Sequence, residues 1–164
     1  MILKKLLKFN FIYQIIFLFL FSVVLKANEV KIITKIGEEI ITNIDIENEF
    51  NYLTTLNISL KQMNKDQVIN FAKNSLIKEK IKKNELLKFY KLNNKNETVD
   101  LMIESIYKKL NINSLDEFKL HLKNNNLEFD NVYKKIEIES VWNEMIYQRF
   151  KDKIFIDEEE LKRK

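Results

Sequence analysis

KIITKIGEEIITNIDIENEF, Lys31 to Phe50, changes its hydrophobic period half-way, and that change decides the fold. In the first half Val30, Ile32, Thr34 and Ile36 alternate with Lys31, Ile33 and Lys35, and Ile40 and Ile41 follow Gly37, Glu38 and Glu39. Alternation on both sides of a glycine-containing turn reads as two short strands. Thr42 and Asp45 then stand at the spacing of a helix N-terminal capping box, with Asp in place of the usual Glu or Gln. A helix is predicted from about Ile44 to Leu56, with Ile44, Phe50, Leu53 and Leu56 facing inward. Two strands are not stable alone in water, so the ribbon must rest on helices. The expected fold is mainly α with a short N-terminal β-hairpin.

The rest of the chain reads as helices. From Asp66, Val68, Phe71, Ala72, Leu76, Ile81, Leu86, Leu87 and Tyr90 mark one broad face of a long helix ending near Asn93 and Asn94. Asn96 is placed to cap the next, whose Val99, Met102, Ile103, Ile106, Tyr107 and Leu110 recur at three and four residues. Ser114 and Glu117 form a second capping box, opening a short helix with Phe118, His121 and Leu122. It stops in the run Asn124, Asn125, Asn126, where Asn can take the left-handed conformation that usually needs Gly. The last strong helix is predicted from about Asp130 to Lys151, with Val132, Tyr133, Ile136, Val141, Trp142, Met145, Ile146 and Phe150 on its apolar side. Asp157 with Glu158, Glu159 and Glu160 reads as the first turn of a further helix, acids being favoured there by the helix dipole. That run lacks the interrupted spacing of a calcium loop.

Upstream of the hairpin, Lys4, Lys5 and Lys8 lead into an apolar run from Phe9 to Leu25, closed by Lys26 and Ala27. A basic head, an apolar middle and a small exit residue are the order of a secretory signal, with cleavage expected between Ala27 and Asn28. The alternative is a retained membrane anchor, since the run is only a little shorter than the roughly 20 residues of a span. Export changes the charge argument. Four of the 28 basic residues and none of the 24 acidic ones lie in residues 1–27, leaving residues 28–164 balanced at 24 against 24. The excess positive charge belongs to the leader and is no sign of a nucleic-acid partner. The alternating lysines and glutamates are expected on solvated, mixed-charge helix faces.

Composition removes whole classes of chemistry. One Gly excludes the glycine-rich phosphate loops of nucleotide enzymes. No Cys and a single His exclude thiolate zinc sites, disulfides, cysteine nucleophiles and multi-histidine centres, so no cofactor or metal is expected. His121 has polar neighbours in sequence and is expected at the surface. A chain that is 46% hydrophobic has enough apolar surface for one ordinary domain.

Taken in order, the opening hairpin with its Thr and Asp helix start, a helix ending in KLN, the segment SLDEFKLHLKNNNLEFDNVYKKIEIE from Ser114 and the tail FIDEEELKRK resemble the N-terminal domain of the periplasmic SurA family and its PpiD-like relatives. Residues 28–155 would form that domain, and 156–164 the start of a linker or following helix. The resemblance implies an exported, helical, non-catalytic chaperone module that binds unfolded polypeptides, outer-membrane β-barrel proteins among them. It also implies a C-terminal helix completing the chaperone core, and commonly one or two parvulin-type prolyl isomerase domains. This sequence carries neither, so the alternatives are the front part of such an isomerase and an inner-membrane-anchored scaffold.

Binding of this kind rests on adaptable apolar contact area, which Phe, Tyr, Trp and Met provide. The candidate peptide-binding residues are Tyr133, Trp142, Met145 and Phe150; helix-packing core is the competing reading for each. With the family's last helix absent from the sequence, an apolar surface is expected to stay exposed, and with it a tendency to homodimerise.

Overall fold

The change of period at Thr42 is a change from sheet to helix. A computed structural model describes residues 29–92 and 96–153. The expected leader 1–27, its cleavage at Ala27 and Asn28, the turn at Asn93 and Asn94, and the segment 156–164 lie outside the described residues. Strands β1 (Ile32–Ile36) and β2 (Glu39–Thr42) pair antiparallel, Ile36 opposite Glu39, Lys35 opposite Ile40 and Thr34 opposite Ile41, with an irregularity between Ile32 and Thr34. Gly37 opens the two-residue turn at φ 59°. Positive φ at the first central position is the mark of the II′ turn that suits hairpin twist.

Helix α1 (Asn43–Leu56) begins with the capping box read from the sequence: the Asp45 amide donates to Thr42 Oγ1 at 3.2 Å and the Thr42 amide to Asp45 Oδ2 at 2.7 Å. A 3₁₀ turn at Ile58–Gln62, not anticipated, leads to α2 (Lys65–Leu86), whose first turn is capped by Asn64. Next come α3 (Glu97–Lys109), capped by Asn96, α4 (Leu115–Asn124), capped by Ser114, and α5 (Phe129–Phe150), followed by a short turn at Lys151–Lys153. The molecule is mainly helical with one short antiparallel hairpin near its N-terminal end.

Several details depart from the sequence reading. Helix α2 ends at Leu86, well before Asn93, and a run of turn hydrogen bonds carries the chain on to Tyr90. Leu87 and Tyr90 are therefore exposed, as are Phe71 and Ile81, because the buried stripe runs through Val68, Ala72 and Leu76 and Ile81 falls on the far side of the helix. Glu117 reaches past Ser114 to the amide of Asn113, so the box at α4 is only half closed. His121 is half-buried, and its Nε2 is out of solvent with no hydrogen-bond partner. Asn126 does take left-handed φ (56°), and Asn111 does the same (58°) to end α3.

Two apolar clusters hold the helices. Val99 and Ile103 of α3, Phe118 and Leu122 of α4, and Val132 and Ile136 of α5 form one. Ile41 of β2, Ile46 of α1, and Ala72 and Leu76 of α2 form the other, with Ile36 of β1 against it. The hairpin thus rests on helices, as a two-stranded ribbon must. Ile136, Glu137, Ile138 and Ser140 are all buried, so α5 is covered on more than one side and runs between the two clusters.

Candidate functional site

The seam between the clusters is ionic. Where the 3.6-residue stripes of α1, α2 and α5 call for apolar side chains, Glu49, Glu79 and Lys135 stand instead, and the fold brings them together. Lys135 Nζ lies 2.7 Å from Glu49 Oε2 and also pairs with Glu79. The Ser75 hydroxyl donates to Glu49 Oε1 at 2.7 Å, and the ammonium sits 5.2 Å from the centre of the Tyr52 ring. Glu49 is 2% exposed. Glu49 is buried and Lys135 and Glu79 are half-buried, which corrects the expectation of lysines and glutamates on solvated helix faces. The signal was present in the sequence as a glutamate between Ile46 and Leu53 at helical spacing.

Further ion pairs tie the same elements. Lys82 of α2 donates to both carboxylate oxygens of Glu139 of α5, at 2.7 and 2.5 Å, and lies 6.0 Å over the Trp142 ring. Glu39 of β2 is shared by Lys80 and Lys83 of α2, the latter at 3.2 Å. Asn51 of α1 donates to the Asn125 carbonyl at 2.7 Å. Beside the seam opens a cleft of about 620 Å³ lined by Asn48, Tyr52, Lys80, Asn131, Lys134 and Ile138, among others. Its charges are mixed and largely neutralise one another.

At and beside the seam the environment shifts three groups. Burial works against the Glu39 carboxylate, but hydrogen bonds and charge from Lys80 and Lys83 outweigh it and hold its pKa below the ordinary 4.5. Burial likewise works against the Lys135 ammonium, and the charges of Glu49 and Glu79 reverse the balance, raising its pKa above 10.5. Tyr52 is pushed well above its ordinary 10.0, first by burial and then by the negative charges of Glu49, Glu79 and Glu139.

The last two shifts have the same sign for stability. A group whose folded pKa is raised contributes stability that is complete below its unfolded pKa and is lost as pH rises. Stability should therefore start to fall near pH 10, where unfolded Tyr and then Lys lose protons that the folded state retains. Urea midpoints between pH 8 and 11 check this, and Tyr52→Phe should make the alkaline decline shallower. An unchanged decline in Tyr52→Phe would remove Tyr52 from the account.

The four candidate peptide-binding residues do not converge on the cleft. Tyr133 is half-buried against the α3–α4–α5 cluster, its ring 6.1 Å from that of Phe129 and its Oη accepting from the Asn96 amide at 3.3 Å. Trp142 and Met145 are half-buried on one side of α5 at i, i+3 spacing. Phe150 is exposed at the end of the helix, under Lys153.

Exposed apolar side chains occur elsewhere: Val30 just before β1, Ile32, Ile33 and Ile40 on the hairpin, and Leu87, Phe89 and Tyr90 after α2, Phe89 being 75% exposed, with others such as Ile58, Leu101, Leu120 and Tyr147 on the 3₁₀ turn and on α3, α4 and α5. The Cβ direction of Gly37 meets Asn84 near the end of α2, which brings the hairpin turn to that end of the helix. Among the described residues, no group of three or more His, Asp and Glu is placed to hold a metal ion, and no helix is long and apolar enough to cross a membrane. Comparison with protein-family models, curated proteins and solved structures gave no match to this chain.

Proposed function

We propose that this chain is an exported, non-catalytic holding module that binds unfolded polypeptides in the periplasm, with outer-membrane β-barrel chains as clients. The observation that carries the reading is the set of exposed aliphatic and aromatic side chains on the hairpin and after α2. Single exposed apolar residues are ordinary, but neighbouring ones mark surfaces that meet other chains. The SurA-like order of elements in the sequence supports the same reading, as does the neutral balance of residues 28–164, which favours apolar over electrostatic capture. In this reading the leader is removed after Ala27 and the product starts at Asn28.

The experiment is suppression of aggregation. A β-barrel protein diluted from urea scatters light as it aggregates, and a stoichiometric amount of the mature protein should suppress most of that signal. The same preparation should not accelerate isomerisation of a proline peptide. Unaltered scattering at several-fold excess would refute the holding function, and turnover abolished by His121→Ala would establish an enzyme in its place.

A further inference from the structure

The cleft beside the ionic seam carries polar groups that the fold leaves unused. Tyr52 of α1 lines it half-buried, under the Lys135 ammonium, and among the described residues its hydroxyl has no hydrogen-bond partner. Asn48, one turn earlier on α1, and Asn126, in the link between α4 and α5, add carboxamides that are likewise unbonded among the described residues. Asn131 of α5 donates to Glu128 Oε2 at 3.2 Å, which leaves its own oxygen open. The frame around these groups is fixed, because Asn51 donates to the Asn125 carbonyl at 2.7 Å and so ties α1 to the link that carries Asn126. At about 620 Å³ the cleft falls within the roughly 300–1,000 Å³ of ligand sites.

The charges around the cleft are already matched. Lys135 is held by Glu49 and Glu79, Lys80 and Lys83 by Glu39, and Asp45 by the amide and hydroxyl of Thr42. Exposed Glu128 and Lys134 at the rim are of opposite sign. A charged ligand would break one of these pairs or go unmatched, at the cost of its desolvation. The apolar lining adds little: Leu76, Val132 and Ile138 keep 6% or less of their surface exposed, so a large side chain finds no deep floor.

We propose that the cleft binds an uncharged, extended stretch of client polypeptide by its main chain. The inference rests on the client-holding function above and gives the client backbone a place. A peptide group offers one N–H and one C=O, which is the complement of a carboxamide: Tyr52 Oη donates to a carbonyl, and the side-chain oxygens of Asn48 and Asn131 accept from amides. The burial and negative charge that raise the Tyr52 pKa keep its hydroxyl a donor and disfavour a carboxylate beside it. Main-chain groups belong to every sequence, which suits a protein that takes many unfolded clients. A saccharide also offers hydrogen bonds, but it stacks on an open aromatic face, and Lys135 lies over the Tyr52 ring.

The test is an NMR titration of the mature protein with a short, end-blocked peptide of Ala and Ser, following the side-chain amide signals of Asn48 and Asn131 and the Tyr52 ring. These signals should shift together and saturate. Tyr52→Phe and Asn48→Leu should each weaken binding about three- to tenfold. A Glu or a Lys in the middle of the peptide should weaken it about threefold or more. If Tyr52→Phe fails to fold, Asn48→Leu, at an exposed position, and the wild-type shifts still decide.

Peptide shifts confined to the hairpin and to Leu87, Phe89 and Tyr90, with the cleft signals unmoved, overturn the cleft proposal and leave the holding function standing. So does an affinity unchanged in the folded variants, or a peptide that fails to bind while aggregation of the β-barrel client is still suppressed. Failure to bind the peptide together with unaltered aggregation overturns both. Tighter binding of maltotriose at the same signals also overturns the proposal and makes the cleft a saccharide site.

Discussion

Lys135→Met is expected to destabilise the fold by about 3–5 kcal/mol, the loss typical when one partner of a buried ion pair is removed. Against the roughly 5–15 kcal/mol that holds an ordinary domain, this is a large fraction. The methionine can occupy the path of the lysine stem, so little packing is lost. What remains is the Glu49 carboxylate, 2% exposed, and the Glu79 carboxylate without its ammonium. The desolvation of Glu49 is then answered by the Ser75 hydroxyl alone among the contacts described for it. Urea unfolding measures the effect as a shift of the midpoint. Replacing all three charges together, Glu49→Leu, Glu79→Leu and Lys135→Met, should restore most of the loss, since well-packed apolar groups often match or exceed a buried ion pair. A Lys135→Met protein within 1 kcal/mol of the wild type would show the seam to be hydrated and the triad to be of little energetic weight.

Phe118→Ala should cost a similar amount for a different reason. The side chain has no exposed surface and packs in the α3–α4–α5 cluster with its ring 5.9 Å from that of Tyr107, so truncation combines lost burial with a cavity, about 3–5 kcal/mol in all. The short helix α4 has few other anchors, Leu122 being its second fully buried side chain. The same urea titration measures the loss. A shift worth under 1 kcal/mol would mean that the cluster collapses into the space.

Periodicity carried the elements and missed the seam. The hairpin, the caps at Thr42, Asn96 and Ser114, and the left-handed stop at Asn126 were all readable because each is local chemistry. Helix α2 is shorter than its spacing predicts because Leu87 and Tyr90 continue the apolar pattern after the backbone has left the helix at Leu86. Spacing fixes which residues could share a face and says nothing about where the helix stops. The partners within the ion triad are not legible in the sequence for another reason: they lie on three helices, and only tertiary packing brings a glutamate of α1 and another of α2 to one lysine of α5. A charged residue inside an apolar stripe was the available clue, at Glu49 and again at Lys135. Tyr133, Trp142, Met145 and Phe150 share an apolar character and one helix, α5, but no common pocket among the described residues. Their spread from the Tyr133 packing site to exposed Phe150 reflects how far α5 runs past the helices that cover its first half.

The most direct measurement is the affinity of the mature protein for an unfolded, aromatic-rich β-barrel polypeptide at low and at moderate salt. Apolar and main-chain contacts are little screened, because salt acts on exposed charge pairs and leaves burial nearly untouched or slightly stronger. Saturable binding that changes by no more than a few-fold across the series is expected. No saturable binding, or an affinity that falls by orders of magnitude as salt rises, would contradict it.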